Sequence, residues 1–187
     1  MTRIAIFASG NGSNAENISN YFNSNPKVEV SLILTNNPNA FVLERAKKLN
    51  IKSLVFNKDQ FLKTDEILQI LVNYDINLIV LAGFLLKIPE NLIKQFSNKI
   101  INIHPALLPK HGGKGMYGDN VHQAVISAKE VESGITIHYV NEHYDKGEII
   151  FQAKCPVLPT DNYEDVAAKI HQLEYEHFPK VIESIVK

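Results

Sequence analysis

Cysteine is almost absent. Cys155 is the only one in 187 residues, so no disulfide can form within the chain and the fold must rest on its own core. Its setting, an apolar run ending at Pro156, predicts a buried, inert thiol. An excess of either charge is lacking too. Nineteen basic and twenty acidic residues leave a formal net charge of −1. With no Lys/Arg run, this argues against nucleic acid or an anionic membrane surface as partner. No apolar stretch approaches the roughly 18–20 residues needed to cross a bilayer. Met1 leads straight into a strand pattern, without the basic, apolar and small-residue segments of a secretory signal. A cytoplasmic location is expected. The histidines show no metal-ligand spacing and no cysteine pair exists, so no metal site is expected.

What remains is the balance of a soluble globular protein, 45 % hydrophobic and 21 % charged, in a length that fits one domain. Arg3 to Ala8 is a short apolar run that stops at Ser9-Gly10-Asn11-Gly12, and a helical pattern through Ile18, Tyr21 and Phe22 follows. Val28 to Leu34 reads as a second strand, Ala40 to Leu49 as a helix, and Ile51 to Phe56 as a third strand. Ile67 to Tyr74 is helical, Leu78 to Leu81 is a buried strand ending near Gly83, and Pro89 to Phe96 is a short helix. Strands alternating with helices imply βαβ units, so the expected fold class is α/β, a Rossmann-like mostly parallel sheet flanked by helices on both faces. Val121 to Ala128 is a further helix. Gly134 to Val140 and Glu148 to Lys154 are β-rich runs that predict a C-terminal antiparallel extension. A long final helix is predicted to start at an acidic capping box, Asp161-Asn162-Tyr163-Glu164, and to carry Val166, Ile170 and Leu173 on its apolar face.

The run Ile100-Ile101-Asn102-Ile103-His104-Pro105 is the most informative. Apolar residues alternate with Asn102 and His104, so a buried strand delivers two polar side chains on one face at its C-terminal end. That is where open α/β sheets place their ligands. A lone histidine there is equally a satisfied structural side chain, and a nucleotide-phosphate-binding module without catalysis would use it that way. An Asn–His pair needing a distant carboxylate points instead to an enzyme.

The first turn, Gly10-Asn11-Gly12-Ser13-Asn14-Ala15, has the spacing of a dinucleotide fingerprint. The acid expected after the second strand is missing, because Leu34 is followed by Thr35-Asn36-Asn37. A phosphate monoester held by backbone N–H groups at the helix start fits better, with Ser13 and Asn14 adding side-chain donors. Ser13 and Glu16 also read as a capping box. A catalytic imidazole wants a carboxylate to stabilise its charged form. Asp145, in Asp145-Lys146-Gly147, is one candidate beside Asp119 and Asp161, and Asp-x-Gly between strands is also a plain turn. His138 either lines the same site or is an ordinary sheet residue.

Three separated motifs then agree. Ala8 to Asn14, Leu81-Ala82-Gly83-Phe84 with Ile101 to Pro109, and Asp145 with Gly147 together resemble the 10-formyltetrahydrofolate-dependent formyltransferases. Within that superfamily, the phosphate loop resembles that of the phosphoribosylglycinamide formyltransferases. Neither the basic C-terminal domain of a methionyl-tRNA enzyme nor the regulatory N-terminal domain of a deformylase is expected at this length, which also favours this branch. The resemblance implies one formyltransferase domain over 1–187, with a nucleotide-phosphate half at 1–100 and a catalytic and folate half at 101–187. It implies Asn102, His104 and Asp145 as catalytic residues, Gly12, Ser13 and Asn14 as phosphate ligands and Glu174 as the ribose contact. It places the folate along Phe84, Leu85, Leu86, Lys87 and Ile88, with Val140 and Asn141. It implies glycinamide ribonucleotide and 10-formyltetrahydrofolate as small-molecule substrates, the folate a consumed cosubstrate, with no tightly bound cofactor or metal, in a monomer or homodimer. The Gly-rich segment His111 to Gly118 departs from the commoner loop of such enzymes, and Lys87 comes one step later than their basic residue. A mobile cover is expected at 111–118, with Lys114 near the phosphate.

Overall fold

The computed structural model describes residues 1–186. Their seven strands form a mixed, mostly parallel sheet flanked by helices, with an antiparallel pair near the C-terminus and a long final helix. The chain divides into two compact units, Met1–Ile101 and Asn102–Ile185.

In the first unit, β1 (Thr2–Phe7) lies between β2 (Val28–Thr35) and β4 (Leu78–Leu81), parallel to both, and β3 (Ser53–Val55) extends β2 in the same direction. Ile4 through Phe7 and all four residues of β4 are buried, as expected of parallel strands covered on both faces. The connections are α1 (Ser13–Phe22), α2 (Val42–Lys48), α3 (Lys58–Lys63), α4 (Glu66–Asn73) and α5 (Glu90–Gln95). Phe7, Phe56, Phe61 and Phe84 pack edge-on, tilted or, for Phe56 on Phe61, stacked, with centroids 5.0–6.1 Å apart, a cluster whose ring pairs each add about 0.5–1.5 kcal/mol beyond burial.

β5 (Ile100–His104) begins in the first unit and ends in the second. There, α6 (Asp119–Ser127) precedes β6 (Glu132–Tyr139), which pairs antiparallel with β7 (Ile149–Pro156) with an irregularity between Ile137 and His138. α7 (Tyr163–Ile185) closes the unit. No helix among the described residues is long and apolar enough to cross a membrane.

Four local expectations are corrected. No side chain caps α1: its N-cap is Gly12 at φ +74°, while Glu16 pairs with Arg45 on α2. The capping box of α7 is one residue later, with Asn162 Oδ1 accepting from Glu164 and Asp165 N–H and Asp165 bonding back to Asn162 N–H. Asp161 instead receives Leu158 N–H and Lys169 Nζ. Helix α3, not anticipated, carries a true capping box in Asn57 and Gln60. Cys155 is half-buried on β7, its thiol pKa raised by burial.

Candidate active site

At the carboxyl ends of the first unit's strands, one hydroxyl joins three connections. Ser9 Oγ, just after β1, donates to Asn36 Oδ1 after β2 (2.6 Å) and accepts from Leu85 N–H after β4 (3.0 Å). Gly12 then turns the chain into α1 through a left-handed φ that glycine adopts without penalty. A Cβ there would overlap Val42 at the start of α2, and Val42 N–H donates to Gly10 C=O (3.2 Å). Arg45 reaches back to Asn11 C=O (2.9 Å) and to its side-chain oxygen (2.8 Å). The turn is thus fixed from α2. Gly12 and Ser13 are half-buried and Asn14 is buried. Phe84 belongs to the aromatic cluster, Leu85 and Lys87 are exposed, Leu86 is half-buried and Ile88 is buried.

The second unit holds the titratable site. Asn102 and His104 share a face of β5 because they are two residues apart, and His104 is only 3 % exposed. Its Nε2 lies 2.8 Å from His111 C=O. A carbonyl can only accept, so Nε2 carries a proton. Nδ1 faces Asp145 Oδ2 at 3.6 Å. Burial pushes the His104 pKa below its ordinary value, and the Asp145 charge and the His111 carbonyl offset part of that. Burial raises Asp145 as well, but the His138 and His104 rings and the Gly113 N–H outweigh it, so its carboxyl titrates below the usual range.

His138, also buried, has its Nε2 3.2 Å from Asn102 Nδ2 and its Nδ1 2.8 Å from Tyr139 C=O. A carbonyl can only accept, so Nδ1 carries a proton, and Nε2 stands beside the Asn102 amide. Asp145 Oδ1 lies 3.6 Å from the same His138 nitrogen. Asp145 itself sits at φ +53° and accepts Gly113 N–H at 2.8 Å, which ties the Gly-rich loop to the β6–β7 connection.

Asn102, His104 and Asp145 are therefore brought together, with His138 and the backbone of His111 and Gly113 as further members. No sequence signal marks those backbone groups. Asp119 and Asp161, the other candidate carboxylates, lie at the start of α6 and beside Lys169. Asn141 uses its amide within its own loop, donating to Lys146 C=O (3.2 Å) and accepting His143 N–H (2.9 Å). Val140 is half-buried and Lys114 exposed. Glu174 is buried on α7 with His171 Nδ1 3.0 Å from its carboxylate, which raises the His171 pKa. His122 is buried on α6 with its own Nδ1 unpartnered, and burial lowers its pKa.

His111 holds φ +54°, a region uncommon for residues other than glycine. Its Nε2 lies 3.1 Å from Glu130 Oε1, and Lys110 Nζ lies 2.9 Å from Glu130 Oε2. The Lys110 ammonium and the His111 ring hold the Glu130 carboxyl below its usual range. Among the described residues, no cluster of three or more His, Cys, Asp or Glu side chains could hold a metal ion.

The chain belongs to the formyl transferase family, whose sequence model matches residues 2–182. Within that family it is 37 % identical over 189 residues to the chloroplastic phosphoribosylglycinamide formyltransferase of Arabidopsis thaliana, covering 98 % of this chain. It spans 65 % of that relative's length, just under two thirds. The phosphoribosylglycinamide formyltransferase of Haemophilus influenzae is 36 % identical over 187 residues, covering 97 % of this chain and 86 % of the relative. The crystal structure of the phosphoribosylglycinamide formyltransferase of Anaplasma phagocytophilum superimposes with a TM-score of 0.90 at 34 % identity, covering 99 % of this chain and 87 % of that one.

Proposed function

We propose that this chain transfers the formyl group of 10-formyltetrahydrofolate to the primary amine of glycinamide ribonucleotide, a step of purine biosynthesis. The observation that carries the reading is the His104 ring, held between a carbonyl at Nε2 and the Asp145 carboxylate opposite Nδ1. Both partners favour a second proton on the ring, so burial alone does not decide its state. A formyl transfer needs donors for a developing oxyanion and a route for one proton.

The amine nitrogen attacks the formyl carbon, and the carbonyl π pair moves onto oxygen. Asn102 donates an N–H to that oxyanion, and the His104 N–H adds a second donor. The amine proton is taken up through water beside Asp145 and delivered to the folate N10 as the carbon–N10 bond breaks, leaving tetrahydrofolate and the formamide. No covalent enzyme intermediate is required, and the folate is consumed as a cosubstrate. Gly12, Ser13 and Asn14 bind the ribonucleotide phosphate, and Glu174 binds its ribose. Phe84 to Ile88 receive the folate, as do Val140 and Asn141. The protein works in the cytoplasm on small molecules, as a monomer or homodimer.

The test is to incubate the purified protein with glycinamide ribonucleotide and 10-formyltetrahydrofolate and follow tetrahydrofolate release, with and without the amine. Release that depends on the amine upholds the reading. Release that proceeds equally with water as the only acceptor identifies a hydrolase instead.

A further inference from the structure

His104 owes the position of one proton to a carbonyl, and that carbonyl owes its position to a side chain outside the catalytic group. The His111 carbonyl, 2.8 Å from His104 Nε2, belongs to a residue whose left-handed φ of +54° needs outside support, because only the surrounding structure can hold such a conformation. Two tethers supply it. Gly113 N–H, two residues on, binds Asp145 (2.8 Å), and the His111 ring binds Glu130 (3.1 Å), which Lys110 also grips (2.9 Å).

Glu130 is itself well fixed. It follows α6, where Lys129 takes φ +52°, Lys129 N–H donates to Ile126 C=O (3.0 Å) and Glu130 N–H donates to Val125 C=O (3.2 Å). This paired closure of a helix end leaves the next residue in one orientation. The tether therefore runs from the rigid end of α6 through a carboxylate to the loop that faces His104.

We infer that Glu130 is a positioning residue for the proposed formyl transfer: by holding His111 it keeps the proton of neutral His104 on Nε2. An imidazole whose proton is already on Nε2 presents a donor before substrate arrives, and the formyl oxygen then competes with the His111 carbonyl for it. Without the tether the loop carbonyl drifts, and the proton is shared between Nε2 and Nδ1. The part of this inference that concerns turnover rests on the formyltransferase reading. The part that concerns the proton does not.

The experiment pairs steady-state kinetics with nitrogen-15 NMR of histidine-labelled protein at pH 8, the His104 signals being those missing from His104→Gln. In Glu130→Ala, kcat is expected to fall about tenfold with KM for both substrates within about twofold of wild type. The His104 nitrogen shifts are expected to move from a pure Nε2–H pattern towards an averaged one. Glu130→Gln keeps an acceptor oxygen for His111 and restores most of the turnover and the wild-type shifts. His111→Ala combined with Glu130→Ala is expected to be no worse than either alone, since both cut one tether. Unchanged nitrogen shifts in Glu130→Ala overturn the inference whatever the kinetics, and so does a wild-type ring protonated on Nδ1. Altered shifts with wild-type kcat overturn the role in turnover. Altered shifts in a protein that never transfers formyl uphold the proton assignment and remove the formyltransferase reading instead.

Discussion

The two units bury different chemistry. In Met1–Ile101 the buried polar side chains are Ser9, Asn14, Ser19 and Thr35, while in Asn102–Ile185 they are His104, His122, Ser133, Thr136, His138 and Glu174. Every buried group that can titrate thus lies in the second unit. The first draws its stability from aliphatic and aromatic packing that is indifferent to pH. The second keeps ionisable groups out of water, which costs free energy unless each is hydrogen-bonded or paired. A scaffold can be optimised for packing alone, whereas a reactive centre has to tolerate that cost.

This contrast can be pressed from both sides, and the largest effect should come from the second unit. Losing one oxyanion donor typically costs ~10²–10³ in turnover, so Asn102→Ala and His104→Ala should each lose that much kcat with KM nearly unchanged in steady-state assays. Wild-type turnover in either would remove the catalytic assignment. In the first unit, Gly12→Ala forces a side chain into a left-handed turn that overlaps Val42. It should cost about 2 kcal/mol in urea unfolding and raise KM for the ribonucleotide more than it lowers kcat. An unaltered KM would detach that turn from phosphate binding.

Acid should then act through the second unit. His104 and His122 have pKa values lowered by burial, so below pH 6.5 the unfolded chain binds protons that the native state refuses. Stability falls as pH drops from 6.5 through their folded pKa values, by up to about 1.4 kcal/mol per pH unit for each proton. His171, raised by Glu174, works the other way and gives stability below pH 6.5 that is lost as pH rises through its folded pKa. Urea midpoints at pH 7.5 and 5 should show the net acid loss, and His122→Gln should shrink it. The smallest effect belongs to the first unit: Ile79→Val on β4 should cost about 0.5–1.5 kcal/mol by the same amount at both pH values. A pH-dependent cost there would break the contrast.

Sequence periodicity was a good guide to the sheet. β1, β4 and β5 are short apolar runs bounded by glycine, proline or polar residues, and such runs carry their own boundaries. Helix α3 was not legible, since its six residues bury only Phe61 and so show no repeat. The start of α1 was misread because Glu16 is drawn to Arg45, 29 residues away, and local spacing cannot report a distant competitor. The candidate site was legible where side chains carry it, in Asn102 and His104 on one strand. It was not legible where backbone carries it. The His111 carbonyl and Gly113 N–H have no letter of their own, and Asp145 reaches His104 through a left-handed turn that Asp119 and Asp161 could equally have made on paper. Glu130 was hidden for a related reason, because a lysine stands at the helix-closing position where glycine would have signalled the turn.

Thr136 is wholly buried on β6. Its hydroxyl donates to Ala106 C=O (2.7 Å) and accepts from Leu108 N–H (3.0 Å) and Gln152 Nε2 (2.8 Å), while Gln152 also donates to Leu108 C=O (3.0 Å). One oxygen atom thereby fixes the prolyl segment that follows His104. If the proposed formyl transfer holds, positions 136 and 152 are the two to leave out of a library randomised for another acceptor amine. Valine at 136 has the shape of threonine but would take this partner from both the Ala106 carbonyl and the Leu108 N–H at once, and a screen would read the loosened segment as lost specificity.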